Sequence, residues 1–337
     1  MKKTIFISGI AGFLGSHIAD AMLAEGHRVI GCDNLIGGYL DNVPKEAEFY
    51  EKDILDFDSM KKLTKNIDVI YHTAALAYEG LSVFSPYLIS KNIFSGTASL
   101  LSAFISNGNT GKLFIYCSSM ARYGDNKVPF TEDMTLYPKD PYGIAKAASE
   151  DIIRELCRVH GIKYIICVPH NIIGPRQKYD DPYRNVASIM INLMLQGRQP
   201  IIYGDGFQKR CFSFIQDDIQ IFRKLAYRED LTWETINIGP DEEFVTINEL
   251  AETIADLLEF DLNPIYMSER PSEVYYATCS AKKIRELFNY KTNYTLRQGL
   301  TEMINYIKKK GAKPFVYHLD LEIISDITPE TWKNKLF

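Results

Sequence analysis

The 337-residue chain lacks the features that would point to several broad classes of function. Its 38 Lys and Arg against 43 Asp and Glu leave a net charge of −5. No basic excess is present to neutralise nucleic acid or to hold an anionic membrane surface, so neither is expected as a partner. The six cysteines (Cys32, Cys117, Cys157, Cys167, Cys211 and Cys279) are scattered, with no Cys-x-x-Cys. Several stand in apolar, strand-like runs, which predicts buried, reduced thiols in a cytoplasmic protein. The six histidines have no paired spacing, so no metal is expected. The N-terminal Met1-Lys2-Lys3 starts like a signal segment, but its apolar run is short and breaks at Gly9 and Gly12. No stretch is expected to supply the roughly 18–20 apolar residues of a membrane span. Internal repeats and low-complexity tracts are absent as well.

What is present is a regular alternation in the first half. Apolar runs at Thr4–Ser8, Arg28–Cys32, Asp68–His72, Lys112–Cys117 and Tyr164–Val168 read as strands, with Glu48–Glu51 a further short one. Helical patterns lie between them at Phe13–Glu25, around Lys61–Lys65, at Asn92–Ser106 and at Tyr142–His160. Strands alternating with helices predict a Rossmann-type doubly wound α/β fold, its parallel sheet covered on both faces. After Pro169 the rhythm fades into Pro-, Gly- and Asp-rich segments with helices near Val186–Gln196 and Thr246–Leu258. The expected organisation is a nucleotide-binding domain over 1–170 to which later segments return, a smaller α+β substrate domain over 171–312, and a tail over 313–337. The tail, with Pro314, Pro329 and Trp332, fits none of these patterns.

Two local groups carry chemistry. Gly9-Ile10-Ala11-Gly12-Phe13-Leu14-Gly15 joins the first strand to the first helix. Glycines there permit a tight turn and close approach of backbone to a pyrophosphate, and the helix N-terminus offers free N–H groups to the anion. Asp33 ends the second strand, where a carboxylate meets adenosine ribose hydroxyls and repels a 2′-phosphate, so NAD is expected over NADP. Asn34 follows it, and Asp53-Ile54 after the third strand is placed to reach the adenine. Tyr142 and Lys146, four residues apart, share one helix face. An ammonium group beside a phenol favours the phenolate, a general base for an alcohol. Plain structural roles stand beside these readings: a turn for the glycines, a solvent-facing Asp33, a packed helix-start aromatic for Tyr142.

Taken in order, the motifs resemble those of the extended short-chain dehydrogenase/reductase family, and within it the nucleotide-sugar epimerases typified by UDP-galactose 4-epimerase. The resemblance spans roughly residues 3–310. It rests on Gly9-x-x-Gly12-x-x-Gly15-Ser16, Asp33-Asn34-Leu35, Asp53-Ile54, His72-Thr73-Ala74-Ala75, Asn92 with Gly96-Thr97, Ser118-Ser119 before Tyr123-Gly124, Tyr142-x-x-x-Lys146, Asn171 with Gly174-Pro175-Arg176-Gln177, Gly204-Asp205-Gly206 with Arg210, and Arg270 with Val274. By position it implies Ser119, Tyr142 and Lys146 as the catalytic set, with Lys146 also on the nicotinamide ribose. Ala74, Ala75 and Asn92 would line the cofactor. Ser118 would join Ser119 at the sugar. Asn171, Arg210 and Arg270 would hold the nucleotide diphosphate, since arginine's planar fork matches phosphate oxygens. A lid over 174–185, in which Arg176, Tyr183, Arg184 and Asn185 cluster, would bring Arg176 and Asn185 to the nucleotide, whose base is left open. Ala277, small, would admit a sugar with a bulky substituent such as N-acetyl or carboxylate. For Ser118, Ser119, Asn171 and the arginines, caps, turns and surface charges remain the plain alternatives.

The family's dehydratases carry an Asp-Glu pair just after the catalytic Ser/Thr, and its decarboxylases a Glu. Here Met120 and Ala121 stand there, and neither moves a proton. The resemblance therefore implies an NAD-dependent 4-epimerase of nucleotide sugars: oxidation at C4, rotation of the 4-keto sugar, re-reduction. A net 4-dehydrogenase or 4-ketoreductase and a non-catalytic NAD-binding regulator remain as alternatives. It also implies a homodimer paired through the Asn92–Ser106 and Tyr142–His160 helices, and a place in polysaccharide or glycoconjugate precursor synthesis.

Overall fold

The computed structural model describes residues 2–337. Six strands, β1 (Thr4–Ser8), β2 (Arg28–Asp33), β3 (Glu48–Glu51), β4 (Val69–His72), β5 (Leu113–Cys117) and β6 (Lys163–Pro169), form one sheet with Thr235–Ile238. All neighbours run parallel, in the order β3-β2-β1-β4-β5-β6 and then Thr235–Ile238. The central strands are apolar without interruption because helices cover both faces; all five residues of β5 are buried. Alternate residues serve opposite faces. Ile5, Ile7 and Val29 pack with Ile18, Met22 and Phe222 on one side. Phe6, Ile30 and Phe114 pack with Leu100, Phe104 and Ile153 on the other. The edge strand β3 is largely exposed, and two glutamates bound it.

Helix ends follow local chemistry. Asp140 caps Pro141–His160 by accepting from the Gly143 amide at 2.9 Å, Pro141 fills the first turn, and Gly161 ends the helix at φ 67°. The helix read around Lys61–Lys65 begins earlier, at Phe57–Leu63, because the Asp56 side chain caps it. The helix expected at Asn92–Ser106 starts at Pro86 and carries a π turn over Lys91–Ser95. Together Pro86–Ser106 is long and apolar enough to cross a membrane by length and composition, contrary to the sequence expectation. Half of its most apolar stretch is buried within the protein, and Leu100, Leu101 and Phe104 sit in the core beneath the sheet.

Past residue 170 the chain builds a second packed cluster from Val186–Leu195, Ile247–Leu258 and Leu296–Lys310. Lys209–Cys211 pairs with Phe244–Thr246 and Tyr276–Ala277, and Ile201–Tyr203 with Ile265–Met267. Ile215–Leu225, Thr235–Ile238 and Lys282–Phe288 return to the first sheet. The cleft between the two regions opens over the carboxyl ends of β1, β2, β4, β5 and β6, where ligands meet open α/β sheets.

Candidate active site

The cleft encloses about 450 Å³, a size suited to a small molecule. Its cofactor end is the turn after β1. Gly9 has φ 77°, and a Cβ there would stand 2.8 Å from both the Cα and N of Ala74. A Cβ on Gly15 would come within 2.2 Å of the Gly9 carbonyl. Gly12 caps the first helix with no side-chain hydrogen bond, so the helix N-terminus is open to an anion. Phe13, Leu14, Ala74, Ala75 and Ile54 line the same end. Asp33 is buried; its carboxylate accepts from the amides of Ala11 (3.0 Å) and Leu35 (2.8 Å). Burial raises its pKa more than those bonds lower it. A cradle closed to side chains, an uncapped helix and a strand-end carboxylate together fit an NAD pyrophosphate and ribose. Asn34 lines the rim. Asp53, expected to reach the adenine, does not line the cleft: it stands behind Asn34, accepting from Asn34 Nδ2 at 2.8 Å and from the Leu55 amide at 2.8 Å. Asn92 Oδ1 accepts from the Leu76 amide at 2.9 Å and so braces the wall that carries Ala74 and Ala75.

The reactive end lies where β5 meets the Pro141–His160 helix. Tyr142 and Lys146 are both buried on the cleft side. The Lys146 ammonium donates to the Cys117 carbonyl at 2.6 Å and lies 4.9 Å from the Tyr116 ring centre and 5.9 Å from that of Tyr142. Burial lowers its pKa to about 8. The expectation of an acidified phenol does not hold for the protein alone. Burial drives the Tyr142 pKa up; the Ser119 hydroxyl and Arg184 pull it down, while Glu79 and Asp140 push it further up. Ser119 Oγ accepts from the Ala121 amide at 3.2 Å, holding the turn that presents it.

Ser118 reaches the cleft, but its hydroxyl donates to Glu150. Glu150 is fully buried and also pairs with Arg122 (2.9 Å) and Arg154 (2.7 Å), so this network fixes the turn from below. Asn171, Arg210, Arg270 and Asn185 line the substrate end. Asn171 Nδ2 donates to the Cys211 carbonyl at 2.9 Å. Asn185 Oδ1 caps the Val186–Leu195 helix at the Ala187 amide, 2.9 Å away. Arg210 and Arg270 converge on Glu273, at 3.5 and 3.1 Å. Burial works to raise the Glu273 pKa, but the two arginines outweigh it and hold it down.

Two further sequence expectations are corrected. Arg176 does not reach the cleft: at φ 72° its turn sends the guanidinium back to Asp20 of the first helix, at 2.6 Å. Ala277 is buried in the core beside Tyr123 and Phe130, in register with Arg210, and lines no part of the cleft. The structure places Arg184 of the expected lid and adds Glu79, Trp332 and Phe337, which the sequence did not mark as site residues. Arg184 donates to the Gly37 carbonyl at 3.0 Å and lies beside Tyr78, bringing a guanidinium near Asp33 from the far side of the cleft. Glu79 lines the cleft, with its side chain open to it and the cleft walls around it. Burial first, then Asp140, pushes it up to about 7, against Arg210 and Arg270. Trp332 and Phe337 of the tail also line the cleft. No group of three or more His, Cys, Asp or Glu among the described residues is placed to hold a metal ion.

The sequence matches the model of the NAD dependent epimerase/dehydratase family over residues 5–239. It is 34% identical to a putative UDP-glucose 4-epimerase of Methanocaldococcus jannaschii, covering 91% of this chain and 99% of that one. It is 30% identical to a UDP-N-acetyl-alpha-D-glucosaminuronate decarboxylase of Bacillus cytotoxicus, over 92% and 99%. The crystal structure of Thermotoga maritima UDP-glucose 4-epimerase with UDP-glucose superposes with a TM-score of 0.84 at 31% identity, over 91% and 99% of the two chains.

Proposed function

Because this chain belongs to the NAD dependent epimerase/dehydratase family, we propose that it inverts the C4 hydroxyl of a UDP-hexose with NAD as resident cofactor. The observation that carries this reading is the convergence of Ser119, Tyr142 and Lys146 with the glycine cradle in one cleft. NAD, when bound, supplies a hydride acceptor and returns the hydride. The chain does the rest. Tyr142 takes the hydroxyl proton and later gives it back, and Ser119 hydrogen-bonds the same oxygen. Lys146 keeps a positive charge under the reacting edge, where a low dielectric strengthens it. Arg210 and Arg270 hold the diphosphate while the sugar turns.

The turn after Ser119 supports epimerisation over the family's other reactions. Met120 packs on the core and Ala121 sits in the cluster around Tyr142, so no proton carrier occupies the positions used for elimination or decarboxylation. A pair of copies is part of the proposal: Phe94 and Ile144, on the two helices expected to pair, are 38% and 54% exposed. The six free, buried cysteines support a reducing, cytoplasmic setting.

The test is incubation with UDP-glucose and UDP-galactose, with the C4 epimers separated and cofactor absorbance followed. Equilibration without net reduction is expected, and Tyr142→Phe should cut kcat by about 10²–10⁴-fold, the worth of a general base. An accumulating keto sugar, sustained growth of reduced cofactor, or an active Tyr142→Phe would overturn the reading.

A further inference from the structure

The tail at 313–337 is not an appendage. Trp332 is 4% exposed and Thr331 is fully buried. Trp332 and the tail's Tyr317, Leu319, Leu321 and Phe337 belong to the same packed cluster as Tyr142, Ala121 and Tyr183. Trp332 and Phe337 line the cleft, and the segment is tied to three elements around it. On the 180–185 loop, the Val316 amide donates to the Asp180 carbonyl (2.9 Å), Tyr183 OH to the Leu319 carbonyl (3.0 Å), and Trp332 Nε1 to the Pro182 carbonyl (3.1 Å). Behind Val83 of the cleft lining, the Glu322 amide donates to the Phe84 carbonyl (3.0 Å). Its carboxylate accepts from the Tyr87 and Leu88 amides (2.9 and 2.8 Å), capping the helix that begins at Pro86. On the arginine wall, Thr331 hydrogen-bonds Tyr203 OH, and the Arg270 guanidinium lies 4.9 Å over the Tyr203 ring.

The indole itself closes a gap. A Cβ on Gly80, next to Glu79, would meet Trp332 Cη2 and Arg270 Nη1, each at 3.2 Å. The ring packs edge-on against Phe84 and Tyr183, at 6.0 and 5.6 Å between centres. Trp332 therefore fills the space between the floor that carries Glu79 and the loop above it.

We propose that residues 313–337 are a working part of the substrate pocket, in which Trp332 sets how large a sugar substituent can be turned and Thr331, through Tyr203, positions Arg270 on the diphosphate. The role rests on the nucleotide-sugar reading. It takes the place at the sugar that the sequence suggested for Ala277. An apolar ring that is rigidly held by the elements around it limits volume without contributing charge.

The experiment uses the full-length holoenzyme with UDP-glucose and UDP-N-acetylglucosamine as probes. Trp332→Ala should raise kcat/KM for the N-acetylated sugar relative to the hexose by about tenfold, the equivalent of ~1.4 kcal/mol. Trp332→Phe, which keeps an apolar ring, should stay near wild type. Tyr203→Phe should raise the inhibition constant of UDP several-fold and leave the sugar ratio alone. A purely structural tail would instead lower both sugars in parallel with thermal stability. The chain has two tryptophans, and Trp233 is about half exposed. In a Trp233→Phe background, emission then reports on Trp332 alone and should shift on adding UDP-sugar. An active wild type whose Trp332→Ala form keeps the sugar ratio, or whose Trp332 emission ignores the ligand, overturns this inference. A wild type inactive on every UDP-sugar overturns the epimerase reading instead.

Discussion

Replacing Gly9 by alanine separates two costs that usually arrive together. The backbone at Gly9 has φ 77°, a region where an L side chain costs roughly 1–2 kcal/mol. The added Cβ would also sit 2.8 Å from two backbone atoms of Ala74 and 3.2 Å from the Thr73 carbonyl carbon. Neither neighbour is a flexible side chain, so the strand end must move, at about 1–3 kcal/mol for overpacking. The sum is about 2–5 kcal/mol against a total stability on the order of 5–15 kcal/mol. Gly111 provides the control. Its φ is 78°, and a Cβ there meets nothing within 4 Å. Gly111→Ala should therefore show only the conformational part, roughly 1–2 kcal/mol. The assay is urea unfolding of both variants, with NAD affinity measured by calorimetry. Because Ala74 and Gly9 both line the cofactor end, relief of the clash displaces the seat of the pyrophosphate. NAD should bind Gly9→Ala at least about tenfold more weakly and bind Gly111→Ala as wild type. If the two variants unfold at the same urea concentration, or if Gly9→Ala keeps full NAD affinity, the account of the cradle is wrong.

Two further outcomes follow from charges. Glu150 and Arg122 are 0% and 3% exposed and pair at 2.9 Å, so Glu150→Ala strands a buried guanidinium and should cost about 3–5 kcal/mol. The double change Glu150→Leu with Arg122→Met should recover most of that in the same unfolding assay; a single mutant within about 1 kcal/mol of wild type would refute the network's role. Asp33→Ala removes the carboxylate that repels a 2′-phosphate and leaves Arg184 nearby. The preference for NAD over NADP should narrow by about tenfold or more, and an unchanged ratio of dissociation constants would count against it.

The legible part of the site was its strand ends. Gly9, Asp33, Ser119 and Asn171 each follow or end a strand, and the type of residue needed there (a glycine, a carboxylate, a hydroxyl, an amide) is visible in one dimension. The helix pair Tyr142–Lys146 was legible through its period. What escaped was assembled from far apart. Glu79, Tyr203 and Trp332 meet around one cavity, and no local spacing connects position 79 with position 332. Ala277 shows a different limit. Its strand was close to the site, but successive residues of a strand face opposite ways. Tyr276 is 49% exposed and Ala277 is 4% exposed, so the nearby residue is turned into the core. Arg176 failed through one backbone angle: a left-handed turn redirects a side chain that an extended chain would have aimed inward.

The same geometry explains why the phenol at the centre is not acidic in the protein alone, and what would make it so. Tyr142 is dry, and desolvation outweighs every other influence on it. Among its charged neighbours, Arg184 helps the phenolate while Glu79 and Asp140 oppose it. Glu79 carries a raised pKa, so it keeps its proton to higher pH than an ordinary carboxyl and gains its charge as pH rises toward neutrality. Its ionisation thus suppresses that of Tyr142 in the pH range where a general base is needed. Glu79→Gln removes the negative charge at constant shape. The rising limb of kcat against pH should then move to lower pH, and the variant should be more active than wild type near the bottom of that limb if Glu79 acts only through charge. Stability carries a second sign. A carboxyl whose folded pKa lies above the ordinary 4.5 favours the folded state while it is protonated, and that contribution is lost as pH rises from about 4.5 through about 7. Wild-type stability should therefore decline across this window more than that of Glu79→Gln. A limb that moves to higher pH, or a decline identical in both proteins, would show that Glu79 does not face the phenol as the structure places it.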